Sequence, residues 1–161
     1  MGFLKNLFKS SEIEILAPVS GEAVPLSEVS DPTFSQEILG KGAAIRPSAN
    51  QIVAPCDAVI DMMFDTGHAV SMTSEDGVEI LVHVGLETVN LKGQFFKVFA
   101  KSGDKVKAGQ PLIEFDSEGI RKAGYDLITP VIVCNSDDYS AITPVTGKQV
   151  TAGEKLLSLS K

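Results

Sequence analysis

The sequence predicts an all-β protein: an antiparallel β-sandwich or barrel with internal duplication and one or two very short helices. Three observations lead there. Short apolar runs alternate with Pro and Gly from Ile13 to the C-terminus, the pattern of many brief strands joined by tight turns. Two short motifs recur along the chain, which is the mark of duplicated units. In Val78-Glu79-Ile80-Leu81-Val82-His83-Val84 the β-branched residues occupy every second position, so they share one face of a strand.

The chain has 161 residues, 43% of them hydrophobic and 22% charged, within the range of one folded domain. A net charge of -7 and the absence of Trp argue against nucleic acid as a partner, which calls for Lys/Arg clusters and stacking platforms. The charge fits basic protein partners instead. Cys56 and Cys134 lack metal or redox spacing and are expected to be reduced core residues.

Residues 1–12 form an N-terminal segment ahead of a single domain at 13–161. On a helix, Phe3, Leu4, Leu7 and Phe8 share one face and Lys5, Asn6, Lys9 and Ser10 the other. That is either an interfacial helix drawn to anionic lipid or a tail packed on nothing. It is too short and interrupted for a signal peptide, and Asn6 stands where a myristoylation signal requires Ser or Thr.

The first recurring motif begins at Ile15-Leu16-Ala17-Pro18-Val19. It returns at Ile52-Val53-Ala54-Pro55-Cys56, Leu127-Ile128-Thr129-Pro130-Val131 and Ala141-Ile142-Thr143-Pro144-Val145. Pro lacks a ladder donor and belongs at strand starts, edges and bulges. Between the first two copies, Asp31 can cap a helix that Pro32 opens and Gly40 ends, with Phe34, Ile38 and Leu39 as its apolar stripe. The second motif is strand, tight Gly turn, strand, at Val106–Ile113 and again at Val150–Leu157. Two glycines in Phe115-Asp116-Ser117-Glu118-Gly119-Ile120-Arg121-Lys122-Ala123-Gly124 limit any helix there to about a turn.

The chain's two histidines are His68 and His83. With Val78, Ile80, Val82 and Val84 facing the core, Glu79, Leu81 and His83 face outward. The two histidine-bearing segments read as a hairpin across Ser74-Glu75-Asp76-Gly77. A loop centred on Glu75 and Asp76 puts His68 directly opposite His83, within contact distance; a shift of one residue breaks that opposition. Such a pair has three chemical uses. Two His without a third ligand make a poor zinc site, and no Ser or Cys nucleophile stands in a hydrolase motif. In the third use, one neutral ring attacks phosphorus and the other donates a hydrogen bond to the phosphoryl oxygens. Spacing alone leaves open a fourth case, two unrelated structural histidines.

Thr66-Gly67-His68, Gly77-Val78-Glu79-Ile80-Leu81-Val82-His83-Val84-Gly85-Leu86-Glu87-Thr88-Val89 and Leu91-Lys92-Gly93 together resemble one family. It is the glucose-class enzyme IIA component of the bacterial phosphoenolpyruvate:sugar phosphotransferase system. The resemblance runs from about Ile13 to the C-terminus and includes Asp31-Pro32-Thr33-Phe34-Ser35 and Leu127-Ile128-Thr129-Pro130. It implies an antiparallel β-sandwich and a cytoplasmic phosphotransferase, peripheral at the inner membrane face if residues 1–12 bind lipid. By the resemblance, His83 is phosphorylated on Nε2 by the phosphocarrier protein HPr and passes the group to a cysteine of a sugar-specific IIB domain. His68 stabilises the phosphate, Thr66 orients His68, and the Gly85 carbonyl holds the Nδ1 proton of His83. An apolar ring of Phe34, Ile38, Leu39, Phe64, Val70, Leu81 and Val84 is implied for partner docking. Glu87 stands where the family usually has Asp, with a longer arm toward any partner. Regulation of permeases or metabolic enzymes by the unphosphorylated form is also implied. No cofactor is required; zinc could be held by His68 and His83 only if a partner adds a carboxylate.

The Gly-turn motif also resembles biotinyl and lipoyl carrier half-barrels. Those need an exposed Lys on a hairpin, whereas the candidate here, Lys122, lies in a Gly-containing turn without that context.

Overall fold

The computed structural model describes residues 12–161; the expected N-terminal amphipathic segment lies outside them, apart from Glu12. The described chain opens with β1 (Glu12–Leu16), β2 (Gly21–Val24), α1 (Pro32–Ser35), β3 (Lys41–Pro47), β4 (Gln51–Val53) and β5 (Ala58–Met63). There follow β6 (Ala69–Ser74), β7 (Glu79–His83), β8 (Phe96–Val98), β9 (Lys105–Val106) and β10 (Pro111–Phe115). Last come α2 (Ser117–Lys122), β11 (Thr129–Val133), β12 (Ala141–Pro144), β13 (Lys148–Val150) and β14 (Lys155–Ser160). All strand pairs are antiparallel, as the fold class requires. They make an eight-stranded sheet in the order β13-β2-β3-β11-β7-β6-β5-β9, and two three-stranded sheets, β1-β14-β12 and β4-β10-β8.

The main core draws on all three sheets, with Ile15, Ile52, Met72, Ile80, Ile113 and Leu157 almost fully enclosed. Burying side chains of this size contributes about 1.5–3 kcal/mol each. A second cluster covers part of the opposite face of the large sheet: Leu26, Val29 and Phe34 pack on Ala44, Leu86, Ile128 and Ile132. Central strands β3 and β11 therefore bury both faces, which is why Thr129-Pro130-Val131-Ile132-Val133 has no polar alternation. Pro130 fits because β11 pairs with β7 only from Val131 onward.

The duplication is written in hydrogen bonds. Leu16 N–H donates to the Pro55 carbonyl (2.9 Å) and Val53 N–H to the Pro18 carbonyl (2.8 Å), so the first two Pro motifs clasp each other reciprocally. Each also holds one Gly turn. Ala17 receives Gly153 N–H (2.9 Å) and donates to Glu154 O (2.7 Å); Ala54 receives Gly109 N–H (2.8 Å) and donates to Gln110 O (2.8 Å). Gly109 and Gly153 have φ +87 and +95, the left-handed conformation that favours glycine.

Several expectations are corrected. The Asp31 carboxylate does cap α1, accepting from Thr33 N–H at 2.9 Å, with Pro32 first in the helix. The helix ends at Ser35, not Gly40, because Glu37 turns left-handed at φ 58. Ile38 and Leu39 consequently leave its stripe for solvent. Cys56 is half-buried against the core, but Cys134 is exposed rather than a core residue. Lys122 sits on α2 in an ion pair with Glu118 at 3.0 Å, not at a hairpin tip, and this removes the carrier-domain alternative.

Candidate functional site

The site is built on β7 and the turn before β6. Val78, Ile80, Val82 and Val84 are 0–1% exposed, so the strand places its β-branched face in the core and His83 on the outer face. His68 arrives differently from the sequence expectation. The loop is Glu75-Asp76-Gly77, closed by Ser74 N–H to Val78 O at 2.9 Å, with Gly77 at φ +88. This three-residue loop pairs Ala69, not His68, with His83. His68 lies just outside β6, after Gly67 at φ +71, and that turn lets its ring swing back over His83. The rings meet edge-to-face at 5.1 Å between centroids. Val84 N–H donates to the His68 carbonyl at 2.7 Å, tying the two segments together.

Each imidazole is oriented through Nδ1. That of His83 donates to the Gly85 carbonyl at 2.7 Å. A carbonyl can only accept, so Nδ1 carries the proton and Nε2 presents its lone pair. The Nδ1 of His68 is hydrogen-bonded to the Thr66 hydroxyl. Neither Nε2 has a hydrogen-bond partner among the described residues. Phe64 flanks His68 and Phe34 flanks His83, each at 5.2 Å between ring centroids.

Electrostatics keep both rings neutral at pH 7. Burial, then the neighbouring His83, pull the pKa of His68 from 6.5 down to about 4. Burial lowers His83 as well, partly offset by the Gly85 carbonyl and by Asp31. Desolvation thus dominates over the attractive contacts.

The expected apolar ring separates into three groups. Ile38 and Leu39, 66% and 40% exposed, are available to a partner, and Phe64 and Leu81 are half-buried. Val70 and Val84, both 0% exposed, are core residues and cannot form a docking surface. Val70 faces Val82 across the β6–β7 ladder, and the one-residue shift in register explains its burial. Phe34 is buried too, a wall to His83 rather than a surface contact. Glu87 is exposed, left-handed at φ 58, directly before a one-turn 3-10 helix at Thr88–Leu91.

Two participants were not read from sequence. Asp31 was expected only as a helix cap, yet it lies close enough to influence His83. Thr88 is fully buried, and its hydroxyl donates to Val84 O at 2.5 Å. A small hydroxyl residue set between Glu87 and apolar Val89 was the available signal. Among the described residues no group of three or more His, Cys, Asp or Glu comes together as a metal site. The histidines offer two ring nitrogens at most.

Fold and site define an antiparallel β-sandwich bearing paired, neutral, Nδ1-anchored imidazoles, a class suited to group transfer through histidine. The family model described as phosphoenolpyruvate-dependent sugar phosphotransferase system, EIIA 1, matches residues 13–139, and the chain belongs to that family. It is 43% identical to the glucose-specific EIIA component of Haemophilus influenzae, over 100% of both chains. It is 50% identical to the β-glucoside-specific EIIBCA component of Bacillus subtilis, over 91% of this chain but 24% of that longer one. The solved glucose permease IIA from Mycoplasma capricolum superposes with a TM-score of 0.86 at 33% identity, covering 91% of this chain and 95% of that one. The protein is thus a phosphotransferase component and phosphoryl carrier of a sugar phosphotransferase system.

Proposed function

We propose that His83 is the phosphorylated residue, accepting a phosphoryl group on Nε2 from phospho-HPr and passing it to a cysteine of a IIB domain. The observation that carries this is the Nδ1–H of His83 held by Gly85 O at 2.7 Å, which makes Nε2 the nucleophile. In the forward step the donor's N–P bond breaks as the Nε2–P bond of His83 forms; in the second, that bond breaks as S–P forms on the cysteine thiolate. His68 serves as hydrogen-bond donor to the phosphoryl oxygens through Nε2–H, with the Thr66 hydroxyl donating to its Nδ1. Such a site works by positioning and charge stabilisation.

The relatives whose names combine EIIBCA in one chain support a IIB partner. Sugar choice belongs to that membrane partner; the relatives' names cover glucose, mannose and β-glucosides. Exposed Ile38 and Leu39 supply apolar contact to partners, and the same surface in the unphosphorylated form supports regulation of permeases or metabolic enzymes. Phosphate on His83 would oppose that contact by charge. A zinc ion at such an interface would need ligands from the partner beyond the two imidazoles. The protein acts in the cytoplasm, with residues 1–12 as its contact to the membrane surface.

The test is incubation with phosphoenolpyruvate, enzyme I and HPr, read by intact mass and acid lability. One acid-labile phosphate is expected, absent in His83→Gln. Acid-labile phosphate that persists in that variant would overturn the assignment.

A further inference from the structure

We propose that Thr88 is a positioning residue for phosphoryl transfer, holding the Gly85 turn that decides which nitrogen of His83 is nucleophilic. The inference rests on the reading of His83 as phosphoryl acceptor, and starts from the two peptide groups that flank Gly85. The one after it carries the carbonyl that accepts from His83 Nδ1, and its N–H, on Leu86, donates to Asp126 O at 2.9 Å. The one before it carries the Val84 carbonyl, buried in the core. Among the described residues the partner of that carbonyl is the Thr88 hydroxyl, at 2.5 Å. A buried carbonyl deprived of its only donor is destabilised and reorients toward another.

Thr88 also closes the turn sterically. Its Cγ2 lies 2.7 Å from where a Cβ on Gly85 would stand, and Asp126 O lies 2.8 Å from the same point. Gly85 is left-handed at φ +77, and the threonine methyl fills the space beside it. Val84 connects this to the second histidine, since its N–H donates to His68 O at 2.7 Å. Val84 thus touches both histidine segments through two successive peptides: its N–H, on the peptide after His83, holds His68, and its carbonyl, on the peptide before Gly85, is held by Thr88. The ring nitrogen that carries the proton is set by the hydrogen bond made at the other, so a loosened Gly85 carbonyl frees His83 to populate the Nε2–H form. That form has no lone pair on Nε2 to offer phosphorus.

The experiment compares unsubstituted protein, Thr88→Val and Thr88→Ser. It reads imidazole nitrogen shifts by NMR at pH 8 and the initial rate of phosphorylation by phospho-HPr. His83 is expected to be Nδ1–H in the unsubstituted protein and in Thr88→Ser, which keeps the hydroxyl. Thr88→Val should show a mixed tautomer and a rate roughly tenfold lower, the scale of loss when an orienting partner is removed. A Thr88→Val protein with unaltered tautomer overturns the proposal, as does Thr88→Ser as impaired as Thr88→Val. If Thr88→Val does not fold, Thr88→Ser against Thr88→Ala isolates the hydroxyl in the same way, and equal tautomers overturn it. Absence of phosphate on His83 in the unsubstituted protein would instead overturn the phosphoryl-acceptor reading. The tautomer comparison needs no phosphate and still decides whether Thr88 sets the ring.

Discussion

The rings of His68 and His83 stand 5.1 Å apart and 79° from coplanar, each secured through Nδ1 to a different group, Thr66 for one and Gly85 for the other. This arrangement does two things at once. It leaves each Nε2 without a hydrogen-bond partner among the described residues, and it makes a doubly protonated state costly, because two cations would share a poorly solvated space. Under the proposed assignment, a neutral acceptor ring stands beside a neutral hydrogen-bond donor.

The pH dependence follows from that neutrality. His83 has its pKa lowered from 6.5, so its lone pair is fully available above that value. Initial rates of phosphorylation by phospho-HPr should be flat from pH 7 to 8 and decline only below 6.5 as the ring takes a proton. A plateau that began only above pH 7.5 would contradict this.

Stability should change in the same direction. The folded pKa of His68 is about 4 against 6.5 for the free side chain, so below 6.5 the unfolded chain binds a proton that the folded chain refuses. The stabilisation is complete above 6.5 and is lost as pH falls through about 4. Urea midpoints measured from pH 7 to 4 should drop, and His68→Gln should flatten that drop.

Phosphate on His83 should reverse the balance at His68, since a nearby dianion favours imidazolium. NMR titration of phosphorylated protein is expected to give a higher pKa for His68 than the unphosphorylated form shows. His68→Gln, having no titrating ring, should accept phosphate yet release it poorly to a IIB domain. Equal transfer rates in single-turnover assays would remove His68 from the mechanism.

What the sequence disclosed, and what it hid, divides along physical lines. Alternation over Val78–Val84 placed His83 on the outer face because burial enforces period two. Recurring Pro and Gly motifs disclosed the duplication because Pro fixes its backbone and lacks a donor, while Gly alone readily takes the left-handed turn conformation. The register of His68 was not legible: Ser74-Glu75-Asp76-Gly77 accommodates a two- or three-residue loop, and only the left-handed Gly77 selects the latter. Nor was the burial of Val70, because an apolar residue near a site reads alike whether it docks a partner or fills the core; for Val84 the alternation placed it in the core, against the docking role that the resemblance implied. The length of α1 depended on Glu37 adopting positive φ, a rare choice that composition does not announce.

The exposed pair Ile38 and Leu39 gives a prediction specific to docking. Ile38→Asp, at a 66% exposed position, should leave the urea midpoint unchanged. It should raise the KM for HPr by roughly tenfold, the effect of losing about 1.4 kcal/mol of interface energy. An unchanged KM would place the partner surface elsewhere.

Glycines offer a test that separates backbone strain from steric contact. Ideal Cβ atoms on Gly109 and Gly153 meet nothing within 4 Å, so Ala at either position incurs only left-handed strain, about 1–2 kcal/mol. Their hydrogen bonds to Ala54 and Ala17 match, so the two losses should be nearly equal; clearly unequal values would mean that the duplicated halves no longer share their energetics. Gly42 differs, since its Cβ would stand 1.9 Å from Val131 O, in the ladder joining β3 to β11. Gly42→Ala must push those strands apart and should cost more than about 3 kcal/mol in urea unfolding. Because β11 also pairs with β7, the strand that carries His83, the same change should slow phosphorylation. Gly153→Ala, at a turn on the Pro-motif clasp, should leave the rate intact.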